Sequence, residues 1–102
     1  MRHLLLIAMP TLILSAGMAP AATIEVTIEK MAFSPAEIDA KVGDTIEWVN
    51  KDAFVHTATV KGIWDIQLPV RKSGSVVVDR AGAFDYYCRF HPNMKGRITV
   101  KP

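Results

Sequence analysis

The sequence predicts an all-β domain, a sandwich or small barrel of seven to eight short strands. Three observations carry that expectation. Apolar and polar residues alternate in short runs between Thr23 and Lys101. Glycine and proline interrupt these runs at close intervals. No stretch of this region sustains the i, i+3, i+4 spacing of an amphipathic helix.

The first residues read separately from the domain. Arg2 and His3 make a basic start, and Leu4 to Leu14 is an apolar run broken by Pro10 and Thr11. Ala19-Pro20-Ala21 then offers small residues at the two positions a signal peptidase reads. This predicts a signal peptide over residues 1–21, cleavage after Ala21, and one exported domain over residues 22–102. The competing reading is an uncleaved membrane tether. The apolar run is shorter than the roughly 20 residues that span a bilayer, which favours cleavage.

The elements follow in chain order. Thr23 to Lys30 places Ile24, Val26 and Ile28 on one face and Glu25, Thr27 and Glu29 on the other. Ser34-Pro35-Ala36-Glu37 has the form of a helix start, with a capping serine, a proline at the first helical position and a glutamate at the third. The residues after it do not continue a helix. Ile38, Ala40 and Val42 alternate up to Gly43-Asp44, so Glu37 to Lys41 reads as a strand. Thr45 to Asn50 carries Ile46 and Trp48 on one face, and Val55 to Val60 keeps His56, Ala58 and Val60 in phase.

Lys61 to Leu68 is less regular and holds Trp64, and Pro69 to Gly74 reads as a turn or loop. Ser75 to Asp79, with Val76, Val77 and Val78, predicts a strand buried on both faces. Ala81-Gly82 is a turn, after which Phe84, Tyr86 and Cys88 share a face. Gly96 opens the last strand, in which Ile98 and Val100 alternate with Arg97, Thr99 and Lys101. There is no repeat or low-complexity tract.

Charge excludes one class of function. Lysine and arginine total 12 against 10 acids, a net of +2, far from the basic footprint of a nucleic-acid binder. The chain has one cysteine and therefore no internal disulfide. A lone cysteine in an exported chain needs another role, and metal ligation is one that also protects the sulfur.

That cysteine stands in the run Cys88-Arg89-Phe90-His91-Pro92-Asn93-Met94. The run holds a thiolate, an imidazole and a thioether at three-residue intervals, on a loop short enough to curl around one ion. One more histidine completes a trigonal His2Cys set with a weak axial methionine, the arrangement of blue-copper electron-transfer sites. His56 is the remaining histidine outside the leader, 32 positions before Cys88. The candidate ligands are therefore His56, Cys88, His91 and Met94. Cys88 would bind as a thiolate and the histidines as neutral imidazoles, while Met94 would tune the potential. Four protein ligands leave no open position for a substrate, which predicts electron transfer and no enzymatic activity.

Other chemistries fit less well. A thioether is not among the usual ligands of zinc. The C-x-x-C-H run of haem attachment is absent. Thiol catalysis by Cys88 with His91 lacks an orienting third group. Met31 reads as packing.

The chain resembles the small cupredoxins, and within them the amicyanins. The resemblance rests on Trp48-Val49-Asn50 leading into His56, and on Phe84-Asp85-Tyr86-Tyr87-Cys88 leading into His91, Pro92 and Met94. The two-residue gap between His91 and Met94, with proline directly after the histidine, is the amicyanin-like detail. It implies a Greek-key sandwich, one type 1 copper per chain, and one-electron shuttling in a bacterial periplasm between a redox donor and acceptor such as a dehydrogenase or a cytochrome c. One position departs from the pattern. The residue after the first histidine is usually asparagine in these proteins, where it ties the two ligand loops together; here it is Thr57, whose hydroxyl makes only part of that bridge.

In such a fold Phe54, Phe90 and Pro92 would surround the surface edge of His91 as a small apolar docking patch for a monomeric carrier. Arg89, Lys95 and Arg97 would add a positive rim. The alternative function is a periplasmic copper-binding or delivery protein that passes no electrons. A third is a β-sandwich interaction module with no metal.

Overall fold

The computed structural model describes residues 20–102. Most of the leader read over residues 1–21, namely residues 1–19, lies outside the described residues. The strands are β1 (Thr23–Glu29), β2 (Ala32–Ser34), β3 (Glu37–Lys41), β4 (Thr45–Asn50), β5 (His56–Val60), β6 (Trp64–Leu68), β7 (Ser73–Val77), β8 (Gly82–Tyr87) and β9 (Lys95–Lys101). They form two sheets, ordered β2-β1-β4-β7 and β3-β9-β8-β5-β6. The chain crosses repeatedly between the sheets, giving the Greek-key sandwich. No helix occurs among the described residues.

Alternation decides which face each strand buries. Val26 and Ile28 of β1, Ile46 and Trp48 of β4, and Ile98 and Val100 of β9 all point into the space between the sheets. Two parallel pairings join the ends of the domain. Ile24 lies beside Ile46 and Val26 beside Trp48 in one sheet. Ile38 lies beside Ile98 and Ala40 beside Val100 in the other. Parallel neighbours need a crossover between them, and the excursion of β3 into the second sheet supplies it for β1 and β4.

Two expectations are refined. Nine strands form where seven to eight are expected, because the three residues of β2 fold back on β1 as a hairpin. The valine-rich strand runs over Ser73–Val77 and not Ser75–Asp79, and it is not buried on both faces. It is the outer strand of its sheet, so Val77 points to solvent and is 58% exposed. Val78, just past the strand, is buried instead. Three valines in a row cannot distinguish a central strand from an edge.

The first sheet is tied to the turn before β4 by Asp44. This buried carboxylate accepts the amide of Ala22 through Oδ1 and that of Lys41 through Oδ2, both at 2.9 Å. Hydrogen bonds from those two amides hold its carboxyl below the ordinary value of 3.8.

An aromatic cluster supports the end of the sandwich that carries the ligand run. Tyr86 meets Phe33 edge-on at 4.7 Å and Trp48 at 5.4 Å between ring centroids. Its ring lies over Gly96, its cross-strand partner on β9. A Cβ at residue 96 would run into the Tyr86 ring, so glycine is required there by space. Burial pushes the Tyr86 phenol up to about 12, with the Trp48 indole partly offsetting it.

Gly96→Ala is therefore expected to lower stability by about 1–3 kcal/mol through overpacking. A urea melt measures this, and an unchanged midpoint would show that the Tyr86 ring moves aside freely.

Candidate metal centre

Three segments of chain build the site, and each is held by bonds that its own residues supply. The first is the ligand run. Cys88 follows β8 directly, on the inward face shared with Tyr86. The amide of His91 donates to the Cys88 carbonyl at 3.2 Å, and the amide of Met94 donates to the His91 carbonyl at 2.8 Å. These are two successive i to i+3 turns, so a three-residue ligand spacing becomes a ligand at each turn corner. The Cys88 amide then donates to the Met94 carbonyl at 3.1 Å and closes the loop. Cys88 and Met94 are buried; His91 is half-buried.

The second segment is the connection from β4 to β5. Asn50 ends β4 with its side chain 1% exposed. Its Nδ2 donates to the carbonyls of Phe54 at 2.8 Å, Leu68 at 3.1 Å and Pro69 at 3.2 Å, while its Oδ1 accepts the Asp52 amide at 2.9 Å. One amide side chain thus fixes the loop that delivers His56 against the turn that follows β6.

The third segment is the hairpin turn between β1 and β2. Lys30 and Met31 both adopt left-handed backbone angles, with φ of 53° and 62°. Two successive left-handed residues suit a two-residue hairpin turn, and neither lysine nor methionine favours them alone. Their amides converge on the Asp52 carboxylate, Lys30 on Oδ1 at 2.8 Å and Met31 on Oδ2 at 3.0 Å. Such adjacent amides make an anion-binding concavity. Burial by itself would raise the Asp52 carboxyl. The bonds from Met31, His56 and Lys30 outweigh it and hold the group below 3.8.

Asp52 settles the chemistry of His56. Its Oδ2 lies 2.8 Å from His56 Nε2. An ionised carboxylate only accepts, so Nε2 carries the ring proton. A neutral ring, the form a metal requires, then has its lone pair on Nδ1, which faces Cys88 Sγ at 3.7 Å. This is the carboxylate–histidine pairing that orients metal-binding imidazoles. On the other side, His91 Nδ1 also lies 3.7 Å from Sγ. The Thr57 amide donates to Sγ at 3.4 Å, adding a bond suited to a thiolate.

Donor spacing tests the fit to a metal. Metal bonds of about 2.3 Å to sulfur and about 2.0 Å to nitrogen, opened to about 120°, separate the two donors by about 3.7 Å. Both sulfur–nitrogen distances match that value. One ligand atom from each of His56, Cys88 and His91 lies within 4.8 Å of the others. Met94 is buried in the same loop, where its thioether would be a fourth, weak ligand. The donor set fits one type 1 copper ion per chain.

His56, Cys88 and His91, three of the four residues named from the sequence, thus meet at one end of the sandwich, and Met94 is buried in the loop that carries Cys88 and His91. Phe54 and Phe90 are 58% and 54% exposed, and Phe54 stands edge-on to His91 at 6.4 Å. Pro92 is exposed beside them. The positive rim is weaker than expected, because Arg89 pairs with Asp65 and Arg97 with Asp85. Met31 packs against the core, as expected. Sequence reasoning missed Asp52. The available signal was an acid four residues before His56 and two after Asn50, a spacing that suits an Asx-type turn.

Comparison with known proteins agrees with this geometry. A family model for the cupredoxin-like domain matches residues 2–100. Amicyanin-alpha of Methylorubrum extorquens is 37% identical over 90 residues, covering 81% of this chain and 76% of that protein. Amicyanin of Paracoccus denitrificans is 36% identical over 85 residues, covering 76% of this chain and 65% of that protein, a little under two thirds of its length. The crystal structure of amicyanin from Paracoccus versutus superposes with a TM-score of 0.69 at 31% identity, covering 84% of this chain and 86% of that one. The chain belongs to the cupredoxin-like family, and within that family its likeness is to the amicyanins.

Proposed function

We propose that this protein carries single electrons between redox partners, with His56, Cys88, His91 and Met94 as the four ligands to its copper. The observation that carries this reading is the pair of 3.7 Å distances from Cys88 Sγ to the two Nδ1 atoms. Copper bound there supplies reversible one-electron chemistry. The protein holds its donors still while the charge changes. Asp52 fixes one imidazole, the double turn fixes the other, and the Thr57 amide would bond the Cys88 thiolate when it holds the metal. No ligand position is left for a substrate, which supports a carrier and not an enzyme.

His91 is the half-buried ligand, beside exposed Phe54, Phe90 and Pro92. We assign electron entry and exit to this edge. A small apolar patch suits brief encounters of a monomer with a dehydrogenase or a cytochrome.

Export to the periplasm completes the proposal. Cleavage after Ala21 would begin the mature domain, residues 22–102, at Ala22. The nitrogen of that residue already sits 2.9 Å from Asp44 Oδ1, and its carbonyl accepts the Thr45 amide at 2.9 Å. The new terminus would be an ammonium placed on a carboxylate, which gives the processing site a structural reason. Mass spectrometry of the exported protein is expected to show Ala22 as its first residue; a form retaining the leader would support a tether instead.

Copper(II) added to the apoprotein is expected to give an intense blue colour at one ion per chain, lost in Cys88→Ser. A colourless product would overturn the type 1 assignment. Reversible one-electron voltammetry is expected as well, whereas a copper-loaded protein without a fast wave would favour metal delivery. Asp52→Ala is expected to weaken copper binding by about 10- to 100-fold, because it frees the His56 tautomer. Competition with a chromophoric chelator measures the change, and unaltered affinity would remove Asp52 from the site.

A further inference from the structure

Beyond the candidate ligands, a run of side-chain hydrogen bonds begins at Thr57. β5 and β8 pair through Thr59 and Tyr87. Two residues further along the same register, Thr57 would stand opposite Arg89, the residue directly after Cys88. There the backbone ladder is replaced by a side chain: the Arg89 amide donates to Thr57 Oγ1 at 2.9 Å. Thr57 Oγ1 lies 2.9 Å from Thr59 Oγ1, and Thr59 Oγ1 lies 2.6 Å from Asp65 Oδ1 on β6. The Arg89 side chain closes the circuit, with Nε donating to the same Asp65 oxygen at 3.0 Å.

The direction of every proton in this circuit is fixed. Asp65 is ionised, since bonds from Thr59 and then Arg89 hold its carboxyl below 3.8. A carboxylate cannot donate, so the Thr59 hydroxyl spends its one proton on Asp65. Thr57 must then donate to Thr59, which leaves its lone pairs free to accept the Arg89 amide. Each hydroxyl donates its proton once and accepts once, so no two donors or acceptors are left facing each other. Thr57 is fully buried and Thr59 is 5% exposed, so water does not readily replace either bond.

We propose that Thr57, Thr59 and Asp65 act together as a positioning relay that anchors the start of the ligand loop, in place of the asparagine usual at residue 57. The relay carries an anchor on β6 across two hydroxyls of β5 to the peptide that follows the copper thiolate. Thr57 also places its own amide on Cys88 Sγ, so one residue holds both the sulfur and the loop leaving it. The proposal rests on the copper reading only for its effect on the reduction potential.

Two measurements on the exported protein test it. Hydrogen exchange of the Arg89 amide is expected to speed up about tenfold in Thr57→Val and in Thr59→Val, in both the copper-free and copper-loaded protein. Thr57→Ser and Thr59→Ser keep the hydroxyl and are expected to restore wild-type exchange. The reduction potential should follow the same division, moving in the valine variants and returning in the serine ones. Asp65→Ala, at an exposed position, is expected to raise Arg89 exchange without removing a buried group, which covers the case of a valine variant that does not fold. In a Thr57→Asn background, Thr59→Val should change nothing, because the asparagine would reach Arg89 without the relay. Valine variants that fold with wild-type exchange and potential would overturn the proposal, as would serine variants that behave like valine. A wild-type protein that takes up no copper would sink the electron-carrier reading alone, since exchange in the copper-free protein still reports on the relay.

Discussion

The hydrogen bond between Asp52 and His56 decides what the rest of the site can do. A histidine brought near a cysteine is useful to a metal only if the correct nitrogen is bare, and the carboxylate imposes that choice. The same carboxylate is gripped by two consecutive amides of a left-handed turn. The β1–β2 hairpin, far from the ligand run in sequence, thereby becomes part of the metal centre. Asn50 makes this possible by curling residues 51–55 so that Asp52 faces the turn and His56 enters β5 in phase with the core.

The opposite half of the site depends on packing. The double turn from Cys88 to Met94 is short and could splay if its base were loose. Its base is the β8–β9 pairing, where Tyr86 lies over Gly96 between Phe33 and Trp48. Large aromatic rings locked edge-on leave little room for Cys88 and Lys95, the residues that begin and end the loop region, to shift. Asp52 therefore orients the imidazole from β5, while the backbone bonds of the double turn, seated on this packed base, hold the sulfur and the second imidazole. The two halves meet at Cys88 Sγ.

Much of this was legible in the sequence. The period-two runs gave β1, β3, β4 and β9 directly, because each has one buried and one solvated face. The candidate ligands His56, Cys88, His91 and Met94 stood out because such side chains are chemically unusual and sparsely distributed, and the first three converge in the fold. β2 escaped because three residues carry no period. The true span of β7 escaped because three adjacent valines look alike on an edge and in a centre. β5 alternates His56, Ala58 and Val60 with Thr57 and Thr59, yet the two threonines are buried too; on the face opposite Ala58 they are bonded to Asp65 and to the Arg89 amide. Asp52 and Asp65 were hidden for a related reason. Their importance lies in contacts set by loop geometry, which spacing along a chain does not encode.

The single thiol has a consequence for the life of the protein before any metal arrives. Under the proposed export, the chain would meet oxidants with one free cysteine and no second cysteine in this sequence to pair with. Cys88 is wholly enclosed by its neighbours, so a sulfur on another molecule cannot approach it for exchange. The folded shell thus shields the thiol against cross-linking.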